Sequence, residues 1–274
     1  MVVSIRDLTD SEIKRLKCSF NCQIIKKKIR NLADYFAISA SLLIDDQSYW
    51  FRGQCNSTWS LTPSALRYKT LIERNRALSL LNSFKRIAEI KLERPPAPNE
   101  ELKWLQLAQH YGIPTRLLDW TESAIFALYF ACIKYEEENK DYDGMVFLFN
   151  PQHLSGIPRR FSKSPLDAHP DDRLITRYTK LAGRINKKGI DTIAIQPVWN
   201  SERMMLQRGA FTLHGSKNFS IDSNQVPSLV GIPILRENKV NIQKELDRIC
   251  IDEMTMFPEL EHACINLRRR AGLK

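Results

Sequence analysis

Apolar positions recur at helical spacing through much of the first 133 residues and then give way to short apolar runs of strand length. Residues 1–45 read as two helical segments, the second carrying Leu32, Tyr35, Phe36, Ser39 and Leu42 or Leu43 on one stripe. Ser48 to Arg52 is aromatic and strand-like and stops at Gly53. A helix is predicted from about Leu66 to Leu92. The stiff Arg94-Pro95-Pro96-Ala97-Pro98 linker follows, with Asn99 placed to cap the next helix. That helix buries Trp104, Leu107 or Ala108, and Tyr111, and Gly112 suits the left-handed position that ends it. Thr115 to Trp120 is extended. Thr121 then caps a helix whose Ala124–Ile133 stretch is apolar all round and therefore deeply buried.

Asp143-Gly144 marks a turn before Met145–Phe149, a central strand. Further strands are expected at Thr192–Val198, Ala210–His214 and Leu229–Leu235, then a helix from about Gln243 and a last amphipathic piece after Pro258. No internal repeat interrupts this order. The economical architecture is one α+β domain over residues 46–274, a mixed central sheet surrounded by helices, with a helical N-terminal extension over residues 1–45.

Composition narrows the partners. With 43% apolar and 26% charged residues, 274 residues exclude global disorder. Forty-one Lys and Arg against 31 Asp and Glu give a net charge of +10, which favours anionic partners. Residues 150–217 hold twelve Lys or Arg and five Asp or Glu, hence +7 of that surplus, so an RNA or DNA partner should meet this stretch first. The longest apolar run is too short to span a bilayer and no export signal opens the chain, so a soluble protein without a membrane partner is expected. Six scattered cysteines point to a reducing, cytoplasmic compartment. Cys18 and Cys22 are four apart, but no second pair at zinc-ligand spacing accompanies them, and no metal is expected. Phosphate-loop, dinucleotide-fold and serine-elbow motifs are missing.

Three polar constellations border segments that should be buried. In Phe51-Arg52-Gly53-Gln54 an arginine able to grip phosphate or carboxylate precedes a glycine that admits close approach of backbone or ligand; the alternative is a buried salt bridge from Arg52 to Asp119. Gln109 to Thr121 contains His110, Thr115, Arg116, Asp119 and Thr121, a density of polar groups that packing alone does not require, although a loop-fixing network would also account for it. Met205 to Gly215 brings Gln207 and Gly209 to the entry of a strand, which a simple turn explains equally well. His110 with Asp119 as base and orienter would suit a hydrolase or nuclease.

The same three segments, in this order, resemble the FRG-domain family, named for the Phe51-Arg52-Gly53 triplet. The resemblance covers about residues 45–265, is closest over Gln109 to Ala131, and includes Phe257-Pro258-Glu259-Leu260 as a closing motif. More distantly, the arrangement is similar to the three-part NAD site of ADP-ribosyltransferases. That resemblance implies a split sheet, NAD as cosubstrate, and catalytic roles for Arg52, Thr121 and Gln207; an amide at 207 lacks the charge of an acid, so either Asp119 or Glu122 supplies it or the acceptor is nucleophilic enough without it. It also implies cofactor contacts from Arg52, Gly53, Gln54, His110, Thr115 and Arg116. The expected activity is ADP-ribosyl transfer to RNA or DNA by a toxin or anti-phage effector that a neutralising antitoxin protein would hold in check. The competing expectation is a non-catalytic module that binds nucleic acid or protein.

Overall fold

Ala124–Cys132 has no polar side and can be stable only where every face is covered. In the computed structural model, which describes residues 5–16, 21–133, 141–154, 165–167, 178, 191–197, 199, 201–215, 219–224 and 226–273, this helix lies flat on a mixed β-sheet. Among the described residues the helices are α1 (Asp10–Arg15), α2 (Leu32–Leu42), α3 (Leu71–Lys91), α4 (Glu101–His110), α5 (Ala124–Cys132), α6 (Glu202–Leu206), α7 (Arg236–Arg248), α8 (Glu253–Met256) and α9 (Leu260–Arg270). The strands are β1 (Gln23–Ile24), β2 (Trp50–Gln54), β3 (Leu117–Thr121), β4 (Gly144–Phe149), β5 (Leu166–Asp167), β6 (Ile193–Gln196), β7 (Gly209–Leu213) and β8 (Val230–Ile234). They form one sheet in the order β1-β8-β4-β2-β3-β7-β6-β5, with β1–β8 and β5–β6 parallel and the other neighbours antiparallel. The expected α+β class with a mixed central sheet and surrounding helices is therefore observed. No described helix is long and apolar enough to cross a membrane.

Strand alternation divides the core between the two faces of the sheet. Phe51, Val146, Leu148, Ile232 and Ile234 pack with α5, with Tyr35 of α2 and with Ile242 and Leu246 of α7. Trp50, Leu118, Trp120, Phe147 and Phe149 build the opposite layer, where Trp120 and Trp50 meet the edge of Phe149 at 4.6 and 6.0 Å. Toward the β5 end, Leu117, Phe211 and Leu213 pack with Leu102 and Leu105 of α4. α5 comes close to the sheet because Gly53 and Gly144 lie beneath it: a Cβ on Gly53 would sit 1.8 Å from the Ala127 carbonyl oxygen, and one on Gly144 2.3 Å from that of Ala131.

Residues 5–16 and 21–45 belong to the same packing. β1 extends the sheet beside β8, and Leu8 and Leu16 cover Leu235. Buried Asp143 accepts from Arg15 Nε (3.1 Å), Arg15 Nη2 (3.2 Å) and the Arg236 amide (2.9 Å), joining α1 to the starts of β4 and α7. Three of the basic residues at positions 26–30 form ion pairs: Lys27 with Asp7, Lys28 with Glu12, and Arg30 with the fully buried Asp34, whose carboxyl is held below the usual range chiefly by that hydrogen bond. Cys18 and most of residues 150–217 lie outside the described residues.

Several expected boundaries move. α3 begins at Leu71, where Thr70 and Glu73 form a capping box. Glu100 and not Asn99 precedes α4. Thr121 does not cap α5, because β3 carries it in register with Phe51 and Gly209; Ser123 accepts from the Phe126 amide in its place. α7 starts seven residues before the expected Gln243, at Arg236.

Candidate functional site

β2 is held to β4 by five registered residue pairs and β3 to β7 by five, whereas β2 and β3 share one, Phe51 with Thr121. Beyond that pair the sheet opens, and the gap is the base of a cleft of about 590 Å3. Cofactor pockets span about 300–1,000 Å3. Arg52, Gly53, Gln54, His110, Asp119, Thr121 and Gln207, drawn from three distant segments, all line this cleft.

Arg52 bridges the opening, its Nη1 donating to the Asp119 carbonyl oxygen at 2.7 Å and lying 3.9 Å from Asp119 Oδ2. Its side chain keeps 17% of its surface accessible while that of Asp119 keeps 60%, so this ion pair faces the cleft and is not sealed in the core. Asp119 Oδ1 accepts from Gln109 Nε2 at 2.6 Å. Gln109 is itself oriented by the Thr115 hydroxyl, which donates to Gln109 Oε1 and accepts from the Leu117 amide. A relay from the backbone thus aims the Gln109 amide at the carboxylate.

Thr121 and Gln207 are tied down. The Thr121 hydroxyl donates to the Gln207 carbonyl oxygen at 2.6 Å and accepts from Ser123 N at 3.0 Å. Gln207, just after α6, donates from Nε2 to the Met256 carbonyl oxygen at 2.6 Å. These bonds fasten β3, α6 and α8 together under the cleft. They leave the Thr121 hydroxyl proton and one Gln207 amide donor already engaged.

Thr115 and Arg116 do not line the cleft. Arg116 is buried and its Nη1 donates to the carbonyls of His214 and Gly215 at 3.0 and 2.8 Å, which fastens the end of β7; burial pulls its pKa down to about 10. Nearby runs an ordered chain of donors: Trp120 Nε1 to Thr212 Oγ1, Thr212 Oγ1 to His214 Nε2, and His214 Nδ1 to the Phe219 carbonyl, at 3.0, 3.0 and 3.1 Å. The final carbonyl can only accept, so Nδ1 carries the proton and the ring is neutral. Burial, assisted by the charges of Arg116 and Arg52, pushes the His214 pKa down to about 3.

Sequence reasoning missed part of the wall. Arg67 and Arg203 add two guanidiniums, and half-exposed Trp59 and exposed Tyr111 add ring faces. Arg67 Nε donates to the Thr62 carbonyl at 2.9 Å, while Arg203 lies 4.6 Å above the Phe257 ring and 3.7 Å from Glu259. Tyr111, expected inside, is 58% exposed because α4 ends before it. Glu122 accepts from Gln196 and does not line the cleft, leaving Asp119 as the carboxylate at its base. Three arginines, aromatic walls and one carboxylate suit a ligand that combines flat rings with phosphate. Among the described residues no group of three His, Cys, Asp or Glu is placed to hold a metal.

The family model of the FRG domain matches residues 47–140, from β2 through α5, and so takes in Arg52, Asp119 and Thr121 but ends before Gln207 and Phe257. No curated protein and no solved structure matches the chain.

Proposed function

We propose that this chain, which carries an FRG domain, binds NAD in the cleft between β2 and β3 and transfers its ADP-ribose to an acceptor. The observation that carries the reading is the convergence of Arg52, Asp119, Thr121 and Gln207 on one cleft of dinucleotide size. The guanidiniums of Arg52, Arg67 and Arg203 would take phosphate oxygens, and Trp59 and Tyr111 would cover ring faces. NAD supplies a ribose–nicotinamide bond whose cleavage develops positive charge on the ribose, which a fixed carboxylate stabilises.

Asp119 fits that role and Gln207 does not. Asp119 is acidic, reaches solvent and is held by Gln109, whereas the Gln207 amide is fastened to Met256. In the balanced step the glycosidic pair of electrons leaves with nicotinamide, the acceptor's lone pair forms the new bond to the ribose carbon, and Asp119 receives the acceptor's proton. RNA or DNA recruited by residues 150–217 is the acceptor class that the charge distribution favours, and a chain with this activity would require a neutralising partner in its own cell.

The test is incubation of purified protein with labelled NAD, following nicotinamide release and label on RNA, DNA and protein. Arg52→Ala should abolish labelling and shift the melting temperature by only a few degrees, since the side chain makes its bonds at the cleft surface. Absence of turnover together with salt-sensitive nucleic-acid binding would replace this reading with that of a binding module.

A further inference from the structure

Gln54 ends β2, and strand alternation puts it on the side of Arg52, away from Phe51 and Gly53, which face α5. It lines the cleft, yet the residue is only 3% exposed. A primary amide carries two N–H donors and a carbonyl acceptor, and burying them unmet is costly. Gln54 Oε1 has no hydrogen-bond partner among the described residues. The contrast with its neighbours is chemical: Gln109 is engaged at both ends by Thr115 and Asp119, and Gln207 is engaged by Met256. Gln54 thus borders the cleft with a buried acceptor that the described residues leave unmet.

We propose that Gln54 determines ligand specificity, pairing edge to edge with a planar group that presents an amino donor beside an acceptor. A primary carboxamide and the amino-bearing edge of adenine share this pattern. The choice of ligand rests on the NAD reading above, since NAD carries one such edge at each end. A site that offers a buried hydrogen-bonding group rejects analogues that leave the group unmatched.

Calorimetric titration of the wild type and of Gln54→Met, which keeps length and removes the amide, tests this with three dinucleotides. These are NAD, its nicotinic acid analogue and its hypoxanthine analogue. The wild type should bind one of the two analogues at least about tenfold more weakly than NAD, consistent with one unmatched hydrogen-bonding group, and Gln54→Met should bind all three alike. Loss with the nicotinic acid analogue assigns the carboxamide as the paired edge; loss with the hypoxanthine analogue assigns adenine. Equal binding of all three by the wild type, or discrimination that survives in Gln54→Met, overturns the proposal and leaves the NAD reading standing. Where no dinucleotide binds, discrimination of nicotinamide from nicotinate, or of adenosine from inosine monophosphate, upholds Gln54 and removes NAD. Binding of none of these removes both. If Gln54→Met does not melt cooperatively, Gln54→Glu, which keeps the shape and exchanges the N–H donors for a second acceptor oxygen and its charge, should keep or sharpen the preference for NAD, and a preference lost in this variant overturns the proposal.

Discussion

Replacing Gly53 by alanine adds one methyl group at the tightest point of the fold. Its Cβ would lie 1.8 Å from Ala127 O, 2.7 Å from Ala131 N and 2.8 Å from Ala127 C, all backbone atoms of a buried helix that cannot rotate aside. Carbon and oxygen rest at roughly 3.3 Å or more, so α5 must lift by more than about 1 Å. A nine-residue helix is about 13 Å long and about 10 Å wide. Lifting it opens on the order of 130–200 Å3, which at about 24 cal/mol per Å3 costs about 3–5 kcal/mol. At about 2–4 °C per kcal/mol the melting temperature should fall by about 6–20 °C. Gly112→Ala is the control, because Gly112 has φ +78° and nothing within 4 Å of the added methyl. It should cost only about 1 kcal/mol of backbone strain. Thermal and urea melts of the two variants decide the matter, and a Gly53→Ala protein no less stable than Gly112→Ala would refute the close-packing argument.

Gln207→Glu, which would supply the acid that a late-strand carboxylate mechanism needs, should instead destabilise the protein by about 1–3 kcal/mol at neutral pH and yield no gain in turnover. It replaces an amide donor facing the Met256 carbonyl with a second acceptor; urea titration alongside the NAD assay measures both effects. Acid stability should depend on His214. Its folded pKa is pushed down to about 3 while the unfolded ring titrates near 6.5, so between these values the unfolded chain binds the extra proton and stability is lost as pH falls, by about 1.4 kcal/mol per pH unit. His214→Gln should flatten that slope between pH 6 and 4 in urea melts, and an unchanged slope would rule out the neutral buried ring as its source.

Much of the sheet was legible because its strands are short apolar runs: β4, β7 and β8 fall within a residue or two of expectation. The start of α7 was hidden because Lys239 occupies a buried position, where its ammonium donates to the Cys55 carbonyl, and so breaks the apolar period. β1 is two residues long and is defined by its pairing with β8, a long-range contact that local pattern does not carry. At the cleft, polar density pointed to Asp119, the strand-ending Arg-Gly pair to Arg52 and the resemblance to Gln207, but the residue types could not say which groups remain available. Thr115 and Arg116 prove to be internal fasteners, the first orienting Gln109 and the second holding two carbonyls. Trp59, Arg67 and Arg203 reach the wall only through chain folding, from stretches that no motif in the sequence singled out.

The seating of residues 5–16 and 21–45 bears on where this protein can be trimmed. A fragment beginning at residue 46 would lose the Arg15 guanidinium from the Asp143 carboxylate and would leave β8 as an uncovered margin of the sheet. Bare margins recruit strands from other molecules. The shortened protein would then be prone to self-association, so protein that keeps these residues is the sound starting material for crystals or ligand titrations.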